Sequence, residues 1–281
     1  MHRAVAVVVD STSDIDPQRA QPLGITVVPL FVIFGDRSYR DYLDLSRADF
    51  YMKLMTEKDL PTTSQPTAAM FEEAFEAQEA QEILCLTISS HLSGTINSAR
   101  VAAQHVANRR IEIFDSQTAA GGLGLMALRA AEMANEGATI DGILEALEQE
   151  RRDQRLYACI PDLSHLRRTG RIGRAQAAIG TLMRIVPVLS LEGGEVVAKA
   201  QVRTFSRAQE TMLDLTLASV KAPAQARFIV MHADAPELAA ATVERLMQRL
   251  GGVRPRLLEV WEAGPVIATH GGPGAVGVCC G

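Results

Sequence analysis

The first half of the chain alternates short apolar runs with amphipathic stretches. Val5–Val9 is a run of valine and alanine ended by Asp10-Ser11-Thr12-Ser13-Asp14, which predicts a buried strand with a loop at its carboxyl end. Ile25–Phe34 predicts a second strand, with Pro29 inside it marking an edge or a bulge. Asp36–Ser46 is polar and reads as a loop, and Ala48–Met55 reads as a helix. Thr67–Ala80 is helical in pattern, with Met70, Phe71, Ala74 and Phe75 on one face. Ile83–Ile88 is a strand without alternation, so both its faces are expected to be covered. Thr95–Ala107 reads as a helix, Ile111–Phe114 as a strand, and Leu123–Asn135 as a helix broken by Gly137. Ile140, Ile143, Leu144 and Leu147 form one more helical stripe. Strands alternating with helices predict a parallel sheet with helices on both sides.

After the charge-dense segment Glu148–Arg155 the pattern changes. Leu156–Ile160 reads as a strand, and Leu163–Arg168 and Ala175–Ile185 as helices. Val186–Leu191 and Glu195–Val202 flank Glu192-Gly193-Gly194, a hairpin signal. Ala208–Val220 is helical, Phe228–Met231 a strand, Val243 through Leu250 helical, and Leu257–Val260 a strand. The segment Gly264–Gly281 carries six glycines and one histidine. The expected fold class is α/β. An N-terminal parallel-sheet α/β domain, residues 1–155, has helices on both faces. A C-terminal mixed α+β domain, residues 156–281, follows.

Hydrophobic residues make up 47% of the 281 and charged residues 22%, the balance of a globular protein rather than a disordered one. A net charge of −5 and an aromatic content of 5% argue against a nucleic-acid binder, which needs a basic face and stacking platforms. Cys85, Cys159, Cys279 and Cys280 make no CxxC pair and no metal-ligand spacing with histidine, so no metal is expected. The first residues lead into a strand rather than a signal peptide, and no apolar run reaches a membrane span. A reducing cytoplasm, with at most transient membrane contact, is the expected setting.

Two polar stretches carry the candidate chemistry. In Pro61-Thr62-Thr63-Ser64-Gln65-Pro66 the hydroxyls of Thr62, Thr63 and Ser64 precede a helix, and in Leu92-Ser93-Gly94-Thr95 Ser93 and Gly94 do the same. Either set could simply cap its helix. The same geometry offers unpaired N–H groups and a partial positive charge to an anion. Both stretches are expected at the carboxyl edge of the sheet, where open α/β folds take ligands. Ser93 lacks the GxSxG elbow of a hydrolase, and no phosphate-binding glycine motif is present. The competing reading is a small-molecule hydrolase or phosphotransferase using these loops, with His91 or His270 as the base. Asp10 and Asp14 read as turn-formers, Arg167, Arg168, Arg171 and Arg174 as a basic cluster, and His270 as exposed by a glycine-rich turn.

In order and spacing, several segments resemble the DegV family of bacterial fatty-acid-binding proteins from end to end. They are Asp10-Ser11-Thr12-Ser13-Asp14, Thr63-Ser64-Gln65-Pro66, Leu92-Ser93-Gly94-Thr95, Asp115-Ser116, Gly170-Arg171-Ile172, Val202-Arg203-Thr204 and Gly264-Pro265 through His270 to Gly272-Pro273-Gly274. The resemblance implies a non-catalytic carrier that holds one long-chain fatty acid between two α/β domains and needs no cofactor. It implies that Thr63 and Ser93 hold the carboxylate, with Thr62, Ser64 and Gly94 beside them. In some members a separate ATP-dependent fatty acid kinase phosphorylates that carboxylate, and there Arg171, Arg203 and His270 would support transfer or docking. Tyr42 stands where the family often has glycine, and Thr169 where serine or glycine is commoner.

Overall fold

The computed structural model describes residues 4–57, 59–179 and 185–281. The N-terminal half runs β1 (Val5–Asp10), α1 (Pro17–Leu23), β2 (Ile25–Val28), β3 (Phe31–Phe34), β4 (Arg37–Arg40), α2 (Arg47–Thr56), β5 (Thr62–Ser64), α3 (Ala68–Glu76), β6 (Glu82–Thr87), α4 (Thr95–His105), β7 (Arg110–Asp115), α5 (Gly121–Asn135) and α6 (Ile140–Asp153). The C-terminal half runs β8 (Arg155–Cys159), α7 (Ser164–Arg168), α8 (Ala175–Ile179), β9 (Val186–Glu192), β10 (Glu195–Val202), α9 (Phe205–Ser219), β11 (Arg227–His232), α10 (Pro236–Arg249), β12 (Leu257–Glu262), α11 (Pro265–Gly271) and β13 (Val276–Cys280).

Strands β2-β1-β6-β7 form a parallel sheet. Its strands lack alternation because each face meets helices. Ala6, Val8, Ile83 and Cys85 pack with Phe71 and Phe75 of α3 and with α4, while Val5, Val7, Val9 and Leu84 pack toward α5. A second sheet, β10-β9-β8-β13-β11-β12, is antiparallel except for the β11–β12 pair. One face of it packs under α9 and α10, through Phe228, Val230, Met212 and Leu246. The fold class therefore follows the expectation: a parallel N-terminal sheet and a mixed C-terminal one.

Helix α5 lies between the two sheets, and this explains its small residues. A Cβ on Gly121 would come within 2.9 Å of Met231 Sδ and 3.1 Å of Cys279 Sγ, both on the second sheet. A Cβ on Gly124 would meet the backbone oxygen of Ser13 at 2.7 Å. One apolar core thus runs from Val7 through Leu123 to Ile229 and Cys279, across the division expected at residue 155.

Two local expectations are corrected. Ile25–Phe34 is two strands in two sheets, because the chain turns at Pro29-Leu30. Proline has no amide hydrogen for a ladder and ends β2 there. The polar stretch 36–46 contains β4, whose side chains are mostly exposed and so need not be apolar. With β3 and β5, β4 forms a small antiparallel sheet. The glycine-rich C-terminal segment is ordered as α11 and the buried strand β13, which pairs with β8 and β11. The helix expected over Ala175–Ile185 is seen at Ala175–Ile179, and its continuation through 180–184 lies outside the described residues.

Candidate functional site

A cavity of about 450 Å³ lies between the two sheets, within the ~300–1,000 Å³ common for small-molecule sites. Its walls are chiefly apolar: Leu30 and Ile88 from the N-terminal half, Leu156, Leu189 and Met231 from the second sheet, and Val266 from α11. Thr63, Ser64, Ser93, Gly94, Arg171 and His270 also line it.

These polar residues are joined by direct contacts. Thr63 Oγ1 lies 2.9 Å from His270 Nε2. His270 Nδ1 lies 2.8 Å from Thr169 Oγ1. Arg171 Nη1 donates to the Thr169 carbonyl, and its Nε donates to the Leu92 carbonyl at 3.2 Å, next to Ser93. Ser93 Oγ is 2.9 Å from Thr95 Oγ1 and accepts the Thr95 amide at 3.3 Å. Gln65 binds the two stretches together. Its Nε2 donates to Ser98 Oγ at 2.8 Å, and its Oε1 lies where a Cβ on Gly94 would be, at 2.2 Å. Only glycine admits that approach.

The two stretches meet, but they are not two helix mouths. Gly94 is the N-cap of α4, as the pattern implied. Thr62, Thr63 and Ser64 instead form β5, with Thr63 opposite Val32 of β3. The N-cap of α3 is Thr67, whose Oγ1 accepts the Met70 amide at 3.4 Å. The prolines at 61 and 66 bracket an extended segment, and the residue before a proline favours the extended region. Thr62 is exposed and lies off the cavity wall, and Arg203 stands exposed ahead of α9, also away from it. His270 is not on an exposed turn. It sits in the last turn of α11, partly buried and hydrogen-bonded on both ring nitrogens.

Burial, with help from the Arg171 charge and from His165, pushes His270 down to about 4, so its ring is neutral at pH 7. Ser93 is hydrogen-bonded to Thr95 rather than to a histidine. His91 faces Glu195 at 3.7 Å. Among the described residues, the Ser93–histidine pair that the hydrolase reading requires is therefore not seen.

Beneath the loops lie three buried aspartates. Asp10 accepts the Thr12 amide at 3.0 Å and the Ile88 amide at 2.7 Å, and burial raises it to about 6. Asp14 accepts the Gly264 amide at 2.8 Å and the Tyr42 hydroxyl at 3.2 Å, and burial lifts it too. Burial raises Asp41 to about 7. The carboxyls of Asp10 and Asp14 tie the loop after β1 to the end of β6 and to the start of α11. Tyr42 has a φ of 63°, the left-handed region that favours glycine.

Gln65, Thr95 and Thr169 are contributors that the sequence did not single out for a role. A tetrapeptide pattern points to Gln65 only weakly, and nothing in the sequence joins Thr169 to a histidine 101 residues away. Among the described residues, no helix is long and apolar enough to cross a membrane.

The model of the DegV family, described as a family of uncharacterised proteins, matches residues 4–280. A DegV domain-containing protein of Halalkalibacterium halodurans is 35% identical over 98% of this chain and 97% of its own. A solved structure of a fatty-acid-binding DegV family protein from Thermus thermophilus is 36% identical, with a TM-score of 0.88 and 99% of each chain covered. DegV of Bacillus subtilis, described as a fatty acid binding protein, is 32% identical in its crystal structure, with a TM-score of 0.90 and 99% of each chain covered. The family model spans nearly the whole chain and the relatives match it end to end, so the chain belongs to the DegV family.

Proposed function

We propose that this protein is a carrier that binds one long-chain fatty acid, with the acyl chain in the cavity between the sheets and the carboxyl group at Thr63 and Ser93. The observation that carries the reading is an apolar cavity whose polar groups converge on one cluster. Residues 1–155 supply the head-group segments, and residues 156–281 close the acyl pocket. Burying an acyl chain contributes roughly 0.8 kcal/mol per methylene, so about fourteen methylenes offer on the order of 11 kcal/mol before ordering costs. The head group then needs orientation more than grip, and hydroxyls with the start of α4 supply it. Ser64 and Gly94 shape the wall beside the head group. Arg171 and His270 hold the head-group residues in place, and the exposed Arg203 is free to meet a partner. That partner is an ATP-dependent fatty acid kinase that phosphorylates the carboxyl group. The protein itself carries out no chemistry.

The test replaces both hydroxyl residues, Thr63→Val with Ser93→Ala, and measures binding of a fluorescent fatty acid. Losing two head-group hydrogen bonds, each about 1 kcal/mol or somewhat more, lowers affinity about 10- to 100-fold. Unchanged affinity in the double variant removes this assignment of the head group.

A further inference from the structure

The hydrogen bonds around His270 have a direction. Thr169 Oγ1 lies 2.8 Å from the His165 carbonyl oxygen, 3.4 Å from that of Leu166, and 2.8 Å from His270 Nδ1. A carbonyl only accepts, and a hydroxyl has one hydrogen to give. If Thr169 donates to His165, all the short contacts are filled. His270 then carries its hydrogen on Nδ1 and donates it to Thr169, and Nε2 is left as an acceptor. Thr63 must therefore spend its own hydroxyl hydrogen on His270 Nε2. The reverse order would leave two acceptor oxygens, Thr169 Oγ1 and the His165 carbonyl, 2.8 Å apart with no hydrogen between them. The tautomer is assigned from this network.

Thr63 consequently offers the cavity lone pairs and no hydrogen. Ser93 can still donate when Thr95 donates to it, because their 2.9 Å contact works in either direction. One donor beside one acceptor matches a carboxylic acid, C=O to Ser93 and O–H to Thr63, and mismatches a carboxylate, which only accepts. A carboxylate can be held by Thr63 only if His270 takes a second proton, donates it to Thr63 and frees the Thr63 hydrogen. Both solutions contain one proton more than the neutral protein and the free carboxylate together.

We infer that binding of a fatty acid takes up one proton from solution, because Thr169 fixes His270 as an acceptor and so denies Thr63 a hydrogen for an anion. The inference rests on the proposed head-group site and adds proton linkage to it. The charged and titratable groups that face His270 are Arg171 and His165, on or just after α7. Strands β3 and β5, packed against α11, bring no titratable side chain. Asp14 meets the opposite end of α11, at Gly264, with Asp41 beside Asp14. Among the described residues that line the cavity, Arg171 is the charged side chain that could favour an ionised ligand, and two of its five N–H groups, on Nε and Nη1, are already given to the carbonyls of Leu92 and Thr169.

The experiment measures the affinity of the full protein for cis-parinarate, a fluorescent polyene fatty acid, at pH 6.5, 7.5 and 8.5. A free carboxyl group titrates near about 4 and is ionised throughout this range. Uptake of one proton weakens affinity about tenfold per pH unit, about 100-fold across the range. Thr169→Val releases His270 to carry its hydrogen on Nε2, which frees the Thr63 hydrogen, and the pH dependence flattens to less than threefold. Thr169→Ser keeps the wild-type slope. A merely structural role for Thr169 would lower affinity equally at each pH. Tight binding that does not vary with pH, or a Thr169→Val slope equal to wild type, overturns the inference and leaves the fatty-acid reading standing. No binding at any pH overturns both.

Discussion

Segments 62–65 and 92–95 share a composition of hydroxyl residues and a place at the cavity, yet they reach it by different routes. The second is built locally. Gly94 caps α4 and Ser93 takes the Thr95 amide, so the hydroxyl of Ser93 is placed by neighbours two residues away. The first is built by tertiary structure. Thr63 is held in a strand by β3 and is oriented by His270, 207 residues away. The difference teaches that hydroxyl-rich loops preceding a helix need not be caps. Local hydrogen bonding explains one of them, and the other is held by strand pairing and by a histidine of the C-terminal half.

Separating the two segments is expected to give the larger effect. Gly94→Val drives a side chain into the space of the Gln65 carboxamide and breaks its bond to Ser98. Affinity for a fluorescent fatty acid falls about tenfold, the equivalent of about 1.4 kcal/mol. Adding Gln65→Ala to Gly94→Val removes the clash and restores part of the loss. A Gly94→Val protein that binds normally would show that the contact between the segments is incidental.

A smaller effect separates strand from cap. Thr67→Ala removes the N-cap of α3 and lowers stability by about 1 kcal/mol in urea denaturation, with fatty-acid affinity unchanged. Thr63→Ala does the opposite, weakening binding while leaving the helix capped. Equal destabilisation by both would return residue 63 to a capping role.

The parallel sheet, its flanking helices and the β9–β10 hairpin were legible because each rests on local periodicity or on a glycine pair. Gly193 and Gly194 both adopt positive φ at that hairpin. The break at Pro29 was visible as a proline but not as a change of sheet, since β2 and β3 differ in partners and not in composition. Polar β4 gave no apolar signal to read. The C-terminal segment hid α11 and β13 behind glycines whose roles are tertiary. A Cβ on Gly272 would come within 2.8 Å of His165 Cδ2, and one on Gly277 within 3.0 Å of the Tyr157 oxygen. Thr63, Ser93 and His270, which line the cavity, were singled out by their polar or glycine-rich segments and by the family resemblance. Thr169 was noticed only as a departure, because its role depends on a histidine that folding brings to it.

The most direct measurement is a crystal structure of the protein with a bound long-chain fatty acid. The account predicts the carboxyl group within hydrogen-bonding distance of both Thr63 Oγ1 and Ser93 Oγ, with the acyl chain running past Leu189 and Met231 between the sheets. A carboxyl group bound elsewhere, or a lipid held on the surface with this cavity empty, would contradict it.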